Sequence, residues 1–237
     1  MIEVYDNYQD IGIITRKKTP GIELEMVKGF IEYRKETFHQ TPENELAIFV
    51  EPKINNAYPD IIFAKYNPFL FENWNSARNA ISISDLKILD YIVKHKKTTS
   101  EEIACEISVK YKDLLFSLEK LLDANLISRL NKQWVVNTPD FFGIKTIETI
   151  EAKISKWNEV LQQALLNTNF SSESSVLSML QGEPKTEIVS MLSDFGIGIY
   201  LFNNIAFSKV SKPKRKKIPI NYISLYVNEC IGKILNN

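Results

Sequence analysis

The sequence predicts an α/β protein whose sheet-forming chain is interrupted by a smaller, mainly helical domain. Apolar runs typical of strands alternate with helical stripes over residues 1–80 and 138–237, whereas residues 81–137 are typical of three helices and a hairpin. Hydrophobic residues make up 44% of the 237 positions, which is enough for an extended core. We therefore expect a discontinuous domain with a mixed sheet flanked by helices, and a second domain inserted into it.

The first stretch predicts one helix followed by two strands. Apolar residues at helical spacing predict the helix over residues 23–39. The runs 46–50 and 60–66 are mostly apolar and are separated by a turn-rich segment, as expected of neighbouring strands.

Residues 81–137 predict a domain of their own. Three amphipathic helices, the last over residues 109–124, precede two short strands that form a hairpin at 126–136. The phrase Leu-Leu-Asp-Ala-Asn-Leu-Ile-Ser at residues 121–128 resembles the passage from recognition helix to wing in winged helix-turn-helix proteins. This resemblance implies an inserted winged helix-turn-helix domain.

The α/β pattern resumes after Gly143 and continues to the end of the chain. The predicted elements are a strand at 147–154, a helix at 156–166, a strand at 175–180, a helix starting at Pro184, a strand at 197–202, a basic loop and a terminal helix at 221–235.

Acidic and basic residues enter the predicted strand at 147–154 with an alternating pattern. Because successive side chains of a strand point to opposite faces, Ile150 and Ala152 are expected on a buried face, with Glu151 and Lys153 together on the other. A carboxylate and an ammonium directed at one space can hold a divalent cation and stabilise charge on a phosphate.

A second carboxylate, Asp60, follows Pro59 at the start of the apolar run 61–64. Mg²⁺ prefers oxygen ligands and keeps several of its waters, so two carboxylates and a backbone carbonyl are sufficient protein ligands. Taken separately, each half of the pattern is also typical of ordinary structure. Glu-x-Lys occurs on solvated strand faces and in cross-strand ion pairs, and Pro-Asp occurs in turns.

The two halves together resemble PD-(D/E)xK nucleases. Asp60 and Glu151 are 91 positions apart, and 34 apart once the 57 residues of 81–137 are set aside. The remaining order of helix, three strands, helix and strand is the αβββαβ core of that restriction-endonuclease-like fold. The stretch Ile-Glu-Ala-Lys-Ile-Ser-Lys-Trp at 150–157 is also similar to those proteins.

This resemblance implies a role for each residue of the motif. It implies that Asp60 and Glu151 bind Mg²⁺ or Mn²⁺, that Ala152 lends its carbonyl oxygen to the metal, and that Lys153 acts on the attacking water. Glu51 is a further candidate ligand of lower rank.

Members of the family often carry two more site residues on helices. An acid on the first helix completes the site, for which Glu25 is preferred here over Glu23 and Glu32. A glutamine on the helix after the third strand faces the site, and Gln163 fits that place. The frequent pattern continues to a tyrosine where this chain has Asn167, which is a departure from the family.

Two basic segments are candidate contacts for a polynucleotide. Six of the nine positions in 209–217 are Lys or Arg, a pattern that suits phosphate binding and equally suits a solvated loop. The start of the third helix of the insert is where helix-turn-helix proteins contact DNA, although an insert used for dimerisation or as a spacer is a serious alternative. The candidate residues are Lys214, Arg215 and Lys216 in the first segment and Lys110, Tyr111 and Lys112 in the second.

Composition excludes several other classes. The 29 basic and 29 acidic side chains cancel, so any nucleic-acid surface must be local. No long apolar run or signal-like amino terminus is present, and Cys105 and Cys230 form no ligand motif, which together predict a reduced cytoplasmic setting. Cys105 is expected to be a small buried side chain. The two histidines lie in no nucleophile or zinc motif.

The sequence therefore predicts a Mg²⁺- or Mn²⁺-dependent deoxyribonuclease that cleaves DNA phosphodiester bonds, with a homodimer as a plausible assembly. The rival hypothesis is a DNA-binding or regulatory protein whose nuclease fold does not cut. An interaction scaffold that binds no nucleic acid is the third hypothesis.

Overall fold

A computed structural model describes residues 1–6, 11–16, 20–54, 59–137, 141–154, 157–179 and 185–236, and these form two compact units. Each unit combines two separate stretches of the chain. We call them the sheet unit, Met1–Tyr66 with Ile144–Pro219, and the helical unit, Asn67–Gly143 with Ile220–Asn237.

The described residues contain the following regular elements. The helices are α1 (Ile22–Glu36), α2 (Ile83–His95), α3 (Ser100–Ile107), α4 (Tyr111–Asp123), α5 (Trp157–Asn167), α6 (Thr186–Asp194) and α7 (Tyr222–Leu235). The strands are β1 (Ile2–Val4), β2 (Glu45–Val50), β3 (Ile61–Tyr66), β4 (Ile127–Leu130), β5 (Gln133–Val136), β6 (Ile144–Lys153), β7 (Glu173–Met179), β8 (Gly198–Phe202) and β9 (Phe207–Ser211).

The sheet unit is built on a mixed sheet with the strand order β1-β2-β3-β6-β7-β8-β9. The neighbouring pairs β1/β2, β6/β7 and β7/β8 are parallel, and β2/β3, β3/β6 and β8/β9 are antiparallel. Since β3 and β6 run in opposite directions, the start of β3 and the end of β6 lie at the same end of the sheet. That end carries the motif residues.

Helices cover both faces of this sheet. On one face Phe30 of α1 packs in a cluster with Ile48 and Ile150, and on the other Val160 of α5 packs in a cluster with Val176. Burial of each such side chain stabilises the fold by about 1.5–3 kcal/mol. The prediction of an α/β protein with a mixed sheet flanked by helices is confirmed.

The helical unit packs α2, α3, α4 and α7 with the antiparallel hairpin β4–β5 around a core of its own. Leu89 of α2, Leu118 of α4 and Leu225 of α7 belong to this core and are almost completely buried. Side-chain caps begin three of the helices, since Ser82, Thr99 and Asn221 each accept a hydrogen bond from the backbone three residues later.

The boundaries of the helical unit differ from those of the predicted inserted domain, 81–137. Residues 67–80, 141–143 and 220–236 belong with the helical unit. The physical reasons are the place of Leu225 in its core and a buried ion pair in which Arg78 donates to Glu229 at 2.5 and 3.0 Å. The terminal helix is therefore part of the second unit and not an addition to the sheet.

Other expectations differ in detail. Strand β9 overlaps the start of the basic segment, where a loop was predicted, and β1 was not predicted. Cys105 is exposed and not buried, whereas Cys230 is buried. The expected helix start at Pro184 lies outside the described residues. Within the described residues, none of the helices combines the length and the apolar character that crossing a bilayer requires.

Candidate active site

Asp60 lies immediately before β3 and is 7% exposed. Its Oδ2 accepts a hydrogen bond from the backbone N–H of Ala152 at 2.7 Å. The β3/β6 pairing ends at Ile61 and Ile150, so this amide lies beyond the ladder and the aspartate supplies its partner. Asp60 is thereby fixed against the residue between Glu151 and Lys153.

Arg16 joins Asp60 to a second carboxylate. Its Nη2 donates to Asp60 Oδ1 at 3.1 Å, and its Nε donates to Glu51 Oε2 at 2.5 Å. Backbone hydrogen bonds fix the same three residues, because the Glu51 N–H donates to the Asp60 carbonyl at 2.9 Å and the Arg16 N–H to the Glu51 carbonyl at 3.0 Å. The Arg16 side chain is 49% exposed, so its cationic group is at the surface of the site.

Glu151 is the most deeply buried acid at this end of the sheet, with 3% exposure. Its Oε1 accepts a hydrogen bond of 2.6 Å from the side-chain amide of Asn167. Asn167 is the last residue of α5 and is itself buried. The helix that covers this face of the sheet therefore orients the glutamate.

Lys153 ends β6, and its ammonium lies 3.6 Å from the carboxylate of Glu23 in the first turn of α1. Glu151 and Lys153 were predicted to point into one space, but Glu151 is directed to α5 whereas Lys153 reaches α1. The reason is that β3 no longer pairs with β6 beyond Ile150, so the long side chain of the final residue can turn around the sheet end.

Five of these side chains line a pocket of about 280 Å³, and Glu151 is not one of them. Its lining contains three acids, two bases and two apolar residues, namely Glu23, Glu51, Asp60, Arg16, Lys153, Leu24 and Val27. We call it the acidic pocket.

Burial changes the protonation of both motif acids. It raises the pKa of Asp60 to about 6, although the Ala152 amide and the Arg16 charge act in the opposite direction. Burial also raises the pKa of Glu151 well above its usual value, and the negative charge of Asp60 adds to this effect. Two acids that disfavour each other's ionisation form a pair that a cation would stabilise.

The donor set suits a hard divalent cation bound by few protein ligands. Among the described residues, no three acids, histidines or cysteines lie together as a complete metal site. Mg²⁺ is commonly held by one or two carboxylates with waters and substrate phosphates as its other ligands. Asp60 and Glu151 match that pattern, and Ala152 contributes its N–H to Asp60.

Glu25, the acid preferred on the first helix, is not among the residues that line the acidic pocket. Glu25 is exposed on α1 and pairs with Lys28 at 3.2 Å. Helical geometry explains the difference, because residues two apart lie on opposite sides of a helix and residues four apart share a side. Glu23 shares its side with Val27, and both line the acidic pocket.

Gln163 is exposed on α5, and the amide that contacts the site is that of Asn167, one turn further along. The departure from the family pattern at residue 167 thus marks a contact with Glu151. Arg16 was missed because it lies outside any periodic element. The only signal for it was the general need of a buried carboxylate for a cationic or hydrogen-bonding partner.

The candidate nucleic-acid contacts lie on surfaces of both units. Lys110, Tyr111 and Lys112 are exposed at the start of α4. In the sheet unit Lys214, Arg215 and Lys216 are exposed, yet Arg215 lies 3.4 Å from Glu173 and Lys216 donates to the carbonyl of Thr168. Part of the positive charge of the basic segment 209–217 therefore stabilises the sheet unit.

The fold and the site define an α/β protein with a buried carboxylate pair at one end of a mixed sheet. Comparisons with protein-family models, with curated proteins and with solved structures find no match for this chain. Its function must therefore be argued from the site.

Proposed function

We propose that the protein is a divalent-cation-dependent deoxyribonuclease of the PD-(D/E)xK type. The observation that carries this proposal is the hydrogen bond from Ala152 to Asp60, which brings the aspartate to the Glu-Ala-Lys segment across 92 residues of chain. The element order α1-β2-β3-β6-α5-β7 supports it, since that is the order of the nuclease core.

Asp60 and Glu151 would hold Mg²⁺ or Mn²⁺, and the bound ion would supply positive charge next to the reacting phosphate. Asn167 keeps the Glu151 carboxylate oriented, and Glu23 keeps the Lys153 ammonium at the pocket. Lys153 can then stabilise negative charge that develops on a phosphate bound there. Arg16, half exposed beside Asp60, offers a second positive group to the same phosphate.

For the helical unit we propose a winged-helix role in binding DNA or a second copy of the chain. Tyr111, Leu115 and Phe116 on α4 are exposed by 46–54%. Exposed apolar residues on the helix that would enter the DNA groove favour contact with protein. Chemical cross-linking and measurement of the molar mass by light scattering, each with and without duplex DNA, would distinguish the two roles. Binding of DNA supports the first role, and a dimer in the absence of DNA supports the second.

The rival proposal is a DNA-binding protein that does not cut. The contact that favours it is the ion pair of Arg16 with Asp60, because a guanidinium already neutralises one of the two candidate metal ligands. The two proposals differ in whether a divalent cation binds the carboxylate pair.

Cleavage of supercoiled and single-stranded DNA with Mg²⁺ or Mn²⁺ tests the proposal. We expect the wild type to cut, and Asp60→Asn, Glu151→Gln and Lys153→Ala each to lose at least about a hundredfold in rate, as for removal of a charge-stabilising group. Glu25→Gln is the matched control, since it removes an exposed acid from the same unit. DNA binding without cutting by the wild type would support the rival.

A further inference from the structure

A second pocket lies in the sheet unit at the other end of α1. It has a volume of about 370 Å³ and shares no lining residue with the acidic pocket. Arg34 in the last turn of α1 borders it, whereas Glu23 in the first turn borders the acidic pocket. Its lining contains four basic or imidazole side chains, three aromatic rings and two small polar residues, namely Arg34, Lys65, Lys209, His39, Tyr33, Phe38, Tyr200, Thr37 and Asn44. We call it the basic pocket.

The floor of the basic pocket is a fixed polar network. Arg34 donates two hydrogen bonds to the buried carboxylate of Glu148, at 2.9 and 2.7 Å, and a third to the hydroxyl of Tyr200 at 3.2 Å. Such a two-pronged contact holds both groups in one orientation. Arg34 and Glu148 therefore neutralise each other, so the net positive charge of the pocket comes from its other basic groups.

Those other positive groups are Lys65 and Lys209. Within the described residues neither has a carboxylate at ion-pair distance. Each ammonium instead lies over an aromatic ring, Lys65 at 5.6 Å from Phe38 and Lys209 at 4.7 Å from Tyr200. The pocket thus combines uncompensated positive charge with aromatic surface.

We propose that the basic pocket binds a nucleoside phosphate, either free or as the 5′-phosphate end of a strand. The two lysines attract the phosphate, and the partly exposed rings of Tyr33 and Phe38 provide flat surfaces for a base. The volume lies at the lower end of the range for small-molecule sites, which suits one nucleotide better than a larger cofactor. This site is separate from the acidic pocket and does not depend on cleavage or on a metal.

Equilibrium dialysis in EDTA tests the proposal on the full chain, with adenosine 5′-monophosphate, adenosine, and a short oligonucleotide with or without a 5′-phosphate. We expect the monophosphate or the phosphorylated strand to bind at least tenfold more tightly than its unphosphorylated counterpart. Which of the two phosphorylated probes binds more tightly identifies the source of the ligand.

Three double variants locate the binding. Lys65→Ala/Lys209→Ala should weaken binding of the phosphorylated probe by about tenfold or more, since each charged contact contributes a factor of this order. Lys28→Ala/Lys185→Ala removes two exposed lysines elsewhere in the sheet unit and should leave binding unchanged. Lys65→Gln/Lys209→Gln keeps polar side chains but removes both charges and should reproduce the loss, and thermal melting verifies that each variant is folded.

Three results would overturn the proposal. The first is that neither phosphorylated probe binds at millimolar concentration. The second is equal binding of the phosphorylated and unphosphorylated probes, because the lysines would then recognise no phosphate. The third is an equal loss in the Lys28/Lys185 control, which would show general attraction to a positive surface. Since the assay contains no divalent cation, a failure of the cleavage proposal does not affect its outcome.

Discussion

The backbone N–H of Ala152 donates to the side chain of Asp60 at 2.7 Å, which fixes the end of β6 to the start of β3. An asparagine at position 60 could still accept this hydrogen bond, because its amide oxygen is an acceptor. The charge of Asp60 can therefore be removed while its structural contact is kept.

The charge of Asp60 should make stability depend on pH. Burial raises its pKa to about 6 from 3.8, so the folded chain binds more protons than the unfolded chain between these values. The contribution of Asp60 to the free energy of unfolding should therefore be greatest below about pH 4 and fall by about 3 kcal/mol as pH rises through 6, and Glu151 acts in the same direction. Urea denaturation in EDTA across this range should show a flatter profile for Asp60→Asn, and an unchanged slope would contradict the assignment.

After the Ala152 amide, Arg16 should be the second group that limits the pKa rise of Asp60. The guanidinium favours the ionised carboxylate, so Arg16→Gln should raise the pKa of Asp60 further. Titration of the carboxyl carbons by NMR measures this directly. Lys28→Gln is a suitable control, because Lys28 pairs with the exposed Glu25. A pKa of Asp60 that is the same in Arg16→Gln and in the wild type would refute the ion pair.

Asn167 should matter more than Gln163, although both are amides on α5. Asn167→Ala leaves the buried Oε1 of Glu151 without its donor and should destabilise the fold by about 1–3 kcal/mol. It should also raise the pKa of Glu151, because this hydrogen bond lowers it. Gln163→Ala changes an exposed side chain and should alter the free energy of unfolding by less than about 0.5 kcal/mol. Chemical denaturation of both variants provides the comparison.

Substitution of Glu23 and substitution of Glu25 should have different effects on the cleavage rate. Glu23 holds the ammonium of Lys153 and lines the acidic pocket, whereas Glu25 does neither. We expect Glu23→Gln to reduce the cleavage rate by about tenfold or more, as for loss of a positioning contact, and Glu25→Gln to keep it. Equal cleavage rates for the two variants would show that Glu23 has no role in the active site.

The buried pair of Arg78 and Glu229 should hold α7 in the helical unit. Arg78→Met leaves an unpaired buried carboxylate and should destabilise this unit by about 3–5 kcal/mol. The double variant Arg78→Met/Glu229→Met removes both charges and should recover most of this loss. Thermal unfolding of the single and double variants measures the coupling, and a double variant as unstable as the single one would argue against it.

The strand alternation of Glu151 and the place of Asp60 before β3 could be predicted because both depend on local pattern. Glu25 was preferred over Glu23, which lines the acidic pocket, because the sequence shows a helix but not which side of its first turn meets the sheet. Arg16 could not be predicted, since its partners are 35 and 44 residues away and no periodicity connects them. Strand β9 escaped prediction because three of its five side chains are exposed and it has no apolar face.

The backbone conformation of Glu51 places stability and activity in conflict at this position. Its φ of 49° is left-handed, a region that glycine or asparagine occupies with less strain than glutamate. Glu51→Gly should relax the backbone at that turn while removing the carboxylate that anchors Arg16. Selection for thermal robustness and selection for chemistry would therefore favour different residues at this one position, which makes residue 51 a direct probe of the trade-off between the two.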